Sequence, residues 1–382
     1  MIPDNVKSLL AGRVIHDPKG FYAFVPAKLP PAIVFEQDLA VALSRADAAL
    51  GELAGYGQTL PNPHVLIGSS LRREALMSSQ IEGTQATLSE IMLDEATPIA
   101  SPRPRNDDDL AEVRNYISAL DYGIERLKAL PLSLRLVREI HEKLMAGVRG
   151  RHATPGEFRR SQNWIGPPGS NPVNAAYVPP PVEEMNELLF DWERYLHVMD
   201  AMPELIQCAI LHEQFEAIHP FLDGNGRVGR LLITLFLIER KRLPQPLLYL
   251  SDFIERHKSD YYELLQRIRT HGEWTPWIRF FLAGVEETAR DAAQRARRLA
   301  GLRESLMRET KGALALVDSL LANPFITIAT AAKVLGISVP TATRRLRGLE
   351  SKGILKETTG RGWRKVYVCP EILSVLEKRA ES

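Results

Sequence analysis

Residues 219–230 read HPFLDGNGRVGR, and this stretch constrains the chain more than any other. Helical patterning runs up to it from about Met202 to Ile218 and resumes over about Asn225–Lys241. Pro220 ends the first helix and holds His219 at the rim of the turn. A loop that turns into a helix leaves its first amides unpaired and pointing outward. Glycines at 224, 226 and 229 strip side chains from that backbone, so a ligand can approach it. With the helix dipole this makes an anion cradle suited to phosphates. Arg227 and Arg230, three apart, share a helical face and can reach one anion. Asp223 offers a hard oxygen for Mg²⁺, which takes one or two carboxylates and completes its shell with phosphates. His219 supplies a base that can accept a proton at neutral pH. The residues therefore read as a magnesium–polyphosphate site at which a hydroxyl is activated to attack phosphorus, by positioning and charge neutralisation. His212 lies in an apolar helix and reads as a packed residue behind the site. No ligand spacing around it supports zinc.

The remaining chain sets the context. Its 382 residues suffice for two or three domains. With 48 Lys+Arg against 47 Asp+Glu, no global charge draws it to nucleic acid or membrane. The N-terminus MIPDNVKSLL lacks a secretory pattern, and the apolar run LLITLFLI (231–238) is far too short to span a bilayer. Cys208 and Cys369 form neither a disulfide framework nor a metal cluster, so a reducing cytoplasm is expected. Residues 1–34 read as an irregular, proline-rich arm. Helices are expected over about 36–56, 66–81 (stopping at Gly83), 110–130, 134–145, 182–199 and 275–308, the last with a break near Gly284. Another begins at SDYYELLQRIR (259–269), and 97–109 is a loop. The Gly-, Pro- and Asn-rich segment 150–181 reads as a short irregular hairpin. Three short helices after residue 309, followed by two strands around a glycine turn, have the layout of a winged helix-turn-helix. Lys333–Lys365 carries nine Lys/Arg against two Asp/Glu.

LHEQFEAIHPFLDGNGRVGR (211–230) closely resembles the signature of Fic-domain proteins, HPFx[DE]GN[GK]R followed by a second arginine. The resemblance extends to bacterial Fic proteins with a helical region before the core and a winged helix after it. It implies a mainly α fold: a Fic-type helical core (106–308) with a β-hairpin flap, an N-terminal arm and inhibitory helical region (1–105), and a C-terminal winged helix-turn-helix (309–382). It implies a protein adenylyltransferase that moves AMP from ATP to a Ser, Thr or Tyr hydroxyl of a protein target, and of itself, releasing pyrophosphate. By that resemblance His219 is the catalytic base and Asp223 holds Mg²⁺. Gly224, Asn225, Gly226 and Arg227, with Val228 and Gly229, surround the nucleotide, and Arg230 binds the γ-phosphate. Tyr262 matches the region lining the adenine pocket, with Tyr261 and Tyr249 as rivals. A flap at about Trp164–Val178 would align the target as an added strand. SSQIEGT (78–84) matches the inhibitory pattern [ST]xxxE[GN] as Ser78, Glu82 and Gly83. In the family that glutamate pairs with the second arginine, and a guanidinium held in a carboxylate fork cannot also hold a phosphate. The glycine after Asn225, where phosphate-transferring relatives carry lysine, favours AMP. DNA contact through the winged helix and a homodimer both stay open. The competing reading is a nucleotide-sensing, DNA-binding regulator.

Overall fold

A computed structural model of the chain describes residues 6–59, 63–97, 107–148, 154–199, 202–360 and 364–378. Most of the loop expected at 97–109 and the tip of the expected wing, 361–363, lie outside these residues. The order is β1 (Gly12–Asp17), β2 (Phe21–Pro26), α1 (Gln37–Thr59), α2 (Pro63–Ile81), α3 (Leu88–Ala96), α4 (Asp107–Arg126), α5 (Leu134–Leu144), α6 (Val182–Leu196), α7 (Glu204–Ile218) and α8 (Asn225–Glu239). There follow α9 (Ser251–Arg256), α10 (Lys258–His271), α11 (Trp274–Glu309), α12 (Leu314–Ala322), β3 (Phe325–Thr327), α13 (Ile328–Leu335), α14 (Val339–Ser351), β4 (Lys356–Glu357), β5 (Val366–Val368) and α15 (Pro370–Glu377).

The architecture is mainly α, with two small antiparallel sheets, β1-β2 and β3-β5-β4. Helix α7 lies at its centre, packed against α6, α8 and α11. Every residue from Leu205 to Ile218 is buried. A helix buried all round must satisfy its polar side chains internally, and α7 largely does. Gln207 donates to the carbonyls of Tyr195 and Val198 at 2.9 and 3.0 Å, and Gln214 to Ala27 at 3.1 Å. The exceptions are the buried carboxylate oxygens of Glu213, one of Glu216 and the amide oxygen of Gln214, which find no hydrogen-bond partner.

The arm expected over residues 1–34 is in part a hairpin. β1 and β2 pair in register from Gly12↔Pro26 to Asp17↔Phe21, and Gly20 turns the chain at φ +87°. The hairpin braces the flap, since the Phe24 amide donates to Val178 O at 2.9 Å. Helix α3 fills the stretch before the expected loop, for which the sequence predicts no element. Thr87 and Glu90 close a reciprocal capping box at its start, each satisfying an amide the first turn would leave bare. The break expected near Gly284 is absent, and α11 runs through it. A Cβ there would sit 2.8 Å from the Phe253 ring, so the glycine serves close helix packing.

The C-terminal unit has α12, α13 and α14 with the three-stranded sheet, and α15 as an addition. It rests on α2, α3 and α11. Arg73 of α2 donates to the carbonyls of Leu376 and Glu377 at 3.1 and 3.0 Å, capping α15, and to Asp252 at 2.8 Å. Asn323 donates to Met92 O at 2.8 Å. Among the described residues, no helix is long and apolar enough to cross a membrane. Cys208 and Cys369 are both free and buried.

Candidate active site

The site forms where α7 ends and α8 begins. α7 closes at His219, whose backbone is left-handed (φ 50°, ψ 61°). A non-glycine residue pays roughly 1–2 kcal/mol there, and the surroundings hold it in place. Arg159 Nε donates to His219 O at 3.0 Å, and Asn163 Nδ2 to His219 O at 3.2 Å and Phe221 O at 2.8 Å. The Phe221 ring stacks on His141 with centroids 3.7 Å apart. The Gly156 amide donates to His141 Nδ1 at 2.9 Å, so Nε2 carries the ring proton and donates to Asp223 O at 3.1 Å. The loop is thus pinned on both sides by side chains that sequence reasoning missed: Arg159, Asn163 and His141.

The His219 ring is a neutral base. Burial, then Arg269 nearby, hold its pKa down to about 3. Nδ1 faces Glu216 O at 3.4 Å. A carbonyl can only accept, so Nδ1 bears the hydrogen and Nε2 keeps its lone pair.

Gly224 starts α8 at φ +77°. A Cβ at Gly226 would lie 2.5 Å from Glu82 Oε1 and 2.9 Å from Arg230 Nη1. The Glu82 carboxylate therefore sits against the bare amino end of α8, where an anion is favoured. Its tether is α2. Arg230, 3% exposed, donates through Nε to Ser78 Oγ at 2.9 Å and through Nη2 to Ser78 O at 2.9 Å and Glu82 Oε1 at 2.8 Å. Burial pushes the Glu82 carboxyl up, but the Arg230 charge and hydrogen bond outweigh it and leave it below the ordinary range. Gly83 follows with φ +105°, turning the chain away. Glu82 thus pairs with Arg230 as expected, and Ser78 meets it too. Behind them Glu74 accepts from Tyr116 at 2.9 Å and from Ser251 Oγ at 2.6 Å, fixing α2 from below.

Arg227 is buried differently. It is 4% exposed, its Nη2 reaches Met145 Sδ at 3.6 Å, and Glu112 lies 3.9 Å from Nη1. Its Nε and Nη1 have no hydrogen-bond partner. Leaving a buried polar group unpaired costs roughly 1–3 kcal/mol, and an anion at the cradle would remove that cost. The Asp223 side chain is half exposed. Its Oδ1 accepts from the Gly224 amide at 2.6 Å, and its other oxygen makes no hydrogen bond among the described residues. No cluster of three or more His, Cys, Asp or Glu is poised for a metal there.

Three of the expected nucleotide-binding residues have partners within the fold. The Asn225 side chain bonds Phe221, accepting from its amide and donating to its carbonyl, both at 2.8 Å. It shapes the loop. Val228 is fully buried in the core. Gly229 faces α7, where a Cβ would meet Glu216 Oε1 at 2.5 Å, so it is glycine for packing. Tyr262 keeps a half-exposed ring, whereas Tyr261 is buried and Tyr249 partly buried. Burial, then the Glu82 charge, push the Tyr262 hydroxyl up to about 12, so it shares the field of the Glu82–Arg230 pair. His212 is the packed residue expected, bonded to Gly229 O at 3.1 Å and Tyr261 Oη at 3.0 Å. The flap is a single bridge, Ile165↔Tyr177, and not a ladder, because Pro167, Pro168 and Pro172 offer no amides.

Comparison with known proteins adds to this geometry. The profile described as "Fic/DOC family N-terminal" matches residues 40–125, "Fic/DOC family" matches 131–237, and "Winged helix-turn-helix DNA-binding" matches 314–356. Similar curated proteins include "Protein adenylyltransferase Fic" from Drosophila erecta, 27% identical over 219 residues. The protein of the same name from Aedes aegypti is 28% identical over 219 residues. Each alignment covers 54% of this chain, and the chain spans only 39% of those relatives' length. In structure the chain is similar to a Fic family protein from Desulfovibrio desulfuricans (TM-score 0.57, 22% identity, covering 89% of this chain and 98% of that one). It is also similar to Fic-1 from C. elegans (TM-score 0.53, 19% identity, covering 70% and 74%). At those identities the likeness is one of fold.

Proposed function

Because the chain belongs to the Fic/DOC family, we propose that it is a protein adenylyltransferase that transfers AMP from ATP to a Ser, Thr or Tyr hydroxyl, with Glu82 as its built-in brake. One observation carries the reading: a carboxylate lies against the amino end of α8, gripped by the buried Arg230. That is the seat of an anion, occupied by the protein itself. When Glu82 leaves, Arg230 is free for the γ-phosphate. The amides at Gly224 and Gly226 and the under-bonded Arg227 guanidinium receive the others. The half-exposed Tyr262 ring is our candidate wall for adenine. The acceptor hydroxyl is delivered along the flap, beside His219. Its oxygen forms the new bond to the α-phosphorus as the bond to the departing pyrophosphate breaks. Its proton passes to His219 Nε2, which burial keeps neutral and only weakly basic and which the negative charge of a bound triphosphate would make more basic. Asp223, a half-exposed hard oxygen beside the phosphate seat, fits Mg²⁺ shared with the nucleotide. The metal would supply charge neutralisation there.

In this reading residues through 105 hold the brake, 106–308 the chemistry and 309–382 the winged helix. Two free buried thiols accord with a cytoplasmic setting. The winged helix adds a duplex-DNA partner through exposed cations on and around α14.

Mass spectrometry after incubation with Mg-ATP tests the assignment. Glu82→Gly gains adducts of AMP mass on itself, and Glu82→Gly/His219→Ala gains none. A Glu82→Gly protein without adducts, yet still shifting DNA in a gel, would support the regulator instead.

A further inference from the structure

Arg159 is 1% exposed, and its hydrogen bonds go to carbonyl oxygens in place of a carboxylate. Nε donates to His219 at 3.0 Å, Nη1 to Ser161 at 3.3 Å and Nη2 to Pro180 at 2.5 Å. Its own amide donates to Pro220 O at 2.8 Å. Burying a guanidinium without a counter-ion is costly, and an apolar side chain of similar volume would fill the space without that cost. The charge is there for what it holds. Residues 219 and 220 carry the base. Pro180 follows Tyr177 and Val178, which close the flap.

A second strut runs in parallel. Tyr177 donates its hydroxyl to Ala217 O at 2.6 Å, and the Arg269 guanidinium lies 4.2 Å above its ring. Gln162 donates to Pro179 O at 2.9 Å. The flap base and the end of α7 are therefore bolted together, and among the described residues Arg159 alone bonds directly to both His219 and Pro180. His219 needs such support because its left-handed backbone persists only when over-determined.

We propose that Arg159 is a positioning residue for transfer. It fixes the distance between the imidazole and the strand-pairing edge of the flap, so that a hydroxyl laid along the flap arrives at Nε2. This rests on the adenylyltransferase reading. It differs from a packing role, in which Arg159 would support the loop and flap independently, and from a role confined to His219.

The test uses the full chain in the Glu82→Gly background, with Arg159→Met and Arg159→Lys. Three quantities are compared with the Glu82→Gly parent: ATP affinity by calorimetry, transfer of labelled AMP to the chain itself, and hydrolysis of ATP to AMP, in which water replaces the protein hydroxyl. Both variants should bind ATP within about twofold of the parent. Self-transfer should fall on the order of 10²-fold, as expected when a reacting group is misplaced by about 1 Å. Hydrolysis should fall much less, because water does not depend on the flap. Self-transfer unchanged in a folded variant, or transfer and hydrolysis falling by the same factor, overturns the proposal. Hydrogen exchange gives a readout that needs no activity. In Arg159→Met the amides of 164–178 and of 219–221 should lose protection together. Loss in one segment alone contradicts the coupling, whereas a parent that transfers no AMP contradicts only the functional reading beneath it.

Discussion

At the scale of single residues, the site was legible where its chemistry is local. His219, Asp223, Arg227 and Arg230 lie within twelve positions, and each residue type names its task. Ser78 and Glu82, one helical turn apart, could be matched to Arg230 by pattern although the partners are 148 residues apart. Arg159, Asn163 and His141 could not be found this way. They bind backbone carbonyls and amides, which leave no trace in residue identity. Asn225 and Gly229 show that a residue inside a ligand motif can also serve the loop or the packing. Glu213 and Glu216 belong to this scale too. Burial pushes both up to about 7. For Glu216, Arg230 and Arg269 pull down while Glu82 and Glu213 push up, and burial outweighs them all. A carboxyl whose folded pKa is raised binds its proton more tightly in the folded state, so its penalty is full above pH 7 and fades as pH falls toward 4.5. Glu216→Gln should therefore stabilise the chain by about 2 kcal/mol near pH 8, with most of that gain lost by pH 5. Denaturant melts of parent and variant at both pH values check this. An equal difference at the two would contradict it.

Among the elements, the long periodic helices were readable because burial imposes their period. The misses share a physical cause. β1 and β2 flank Asp17-Pro18-Lys19-Gly20, a turn signal outweighed by the surrounding prolines. α3 begins with the capping pair Thr87 and Glu90, but it is only nine residues long before a proline-rich loop, too short to register a period. α2 matters most for function, because it carries Glu82 at its end. Nine residues upstream, roughly 13 Å at helical rise, Arg73 ties it to Asp252 and to the last carbonyls of α15. The brake is thus held from the winged-helix side as well. Arg73→Ala should raise AMP self-labelling above the parent, yet below Glu82→Gly. A rate equal to the parent's in a folded variant would show that α2 needs no such hold.

For the molecule as a whole, a balanced net charge hides a local asymmetry. Arg344, Arg345 and Arg347 of α14 are exposed, as are Lys333 and Lys356. Val339, 55% exposed at the start of α14, gives that helix an apolar tip suited to a base edge. The winged helix leans on α2, α3 and α11 mainly through α12, α15 and β3, and Lys352 at the end of α14 pairs with Glu309 of α11 at 2.9 Å. Binding to duplex DNA should weaken linearly in log–log against salt. Replacing Arg344, Arg345 and Arg347 by alanine should lower that slope by about 2–3 and leave AMP transfer intact. An unaltered slope would assign the unit to protein docking.

The central claim is that Glu82 occupies the seat of a phosphate. Calorimetric titration of ATP with magnesium into the parent and Glu82→Gly tests it directly. Freeing Arg230 should tighten binding about 10–100-fold, the worth of a charge-assisted fork of roughly 1.5–3 kcal/mol. Equal affinities in the two proteins would mean that the carboxylate and the nucleotide do not compete, and the account of the site would fail.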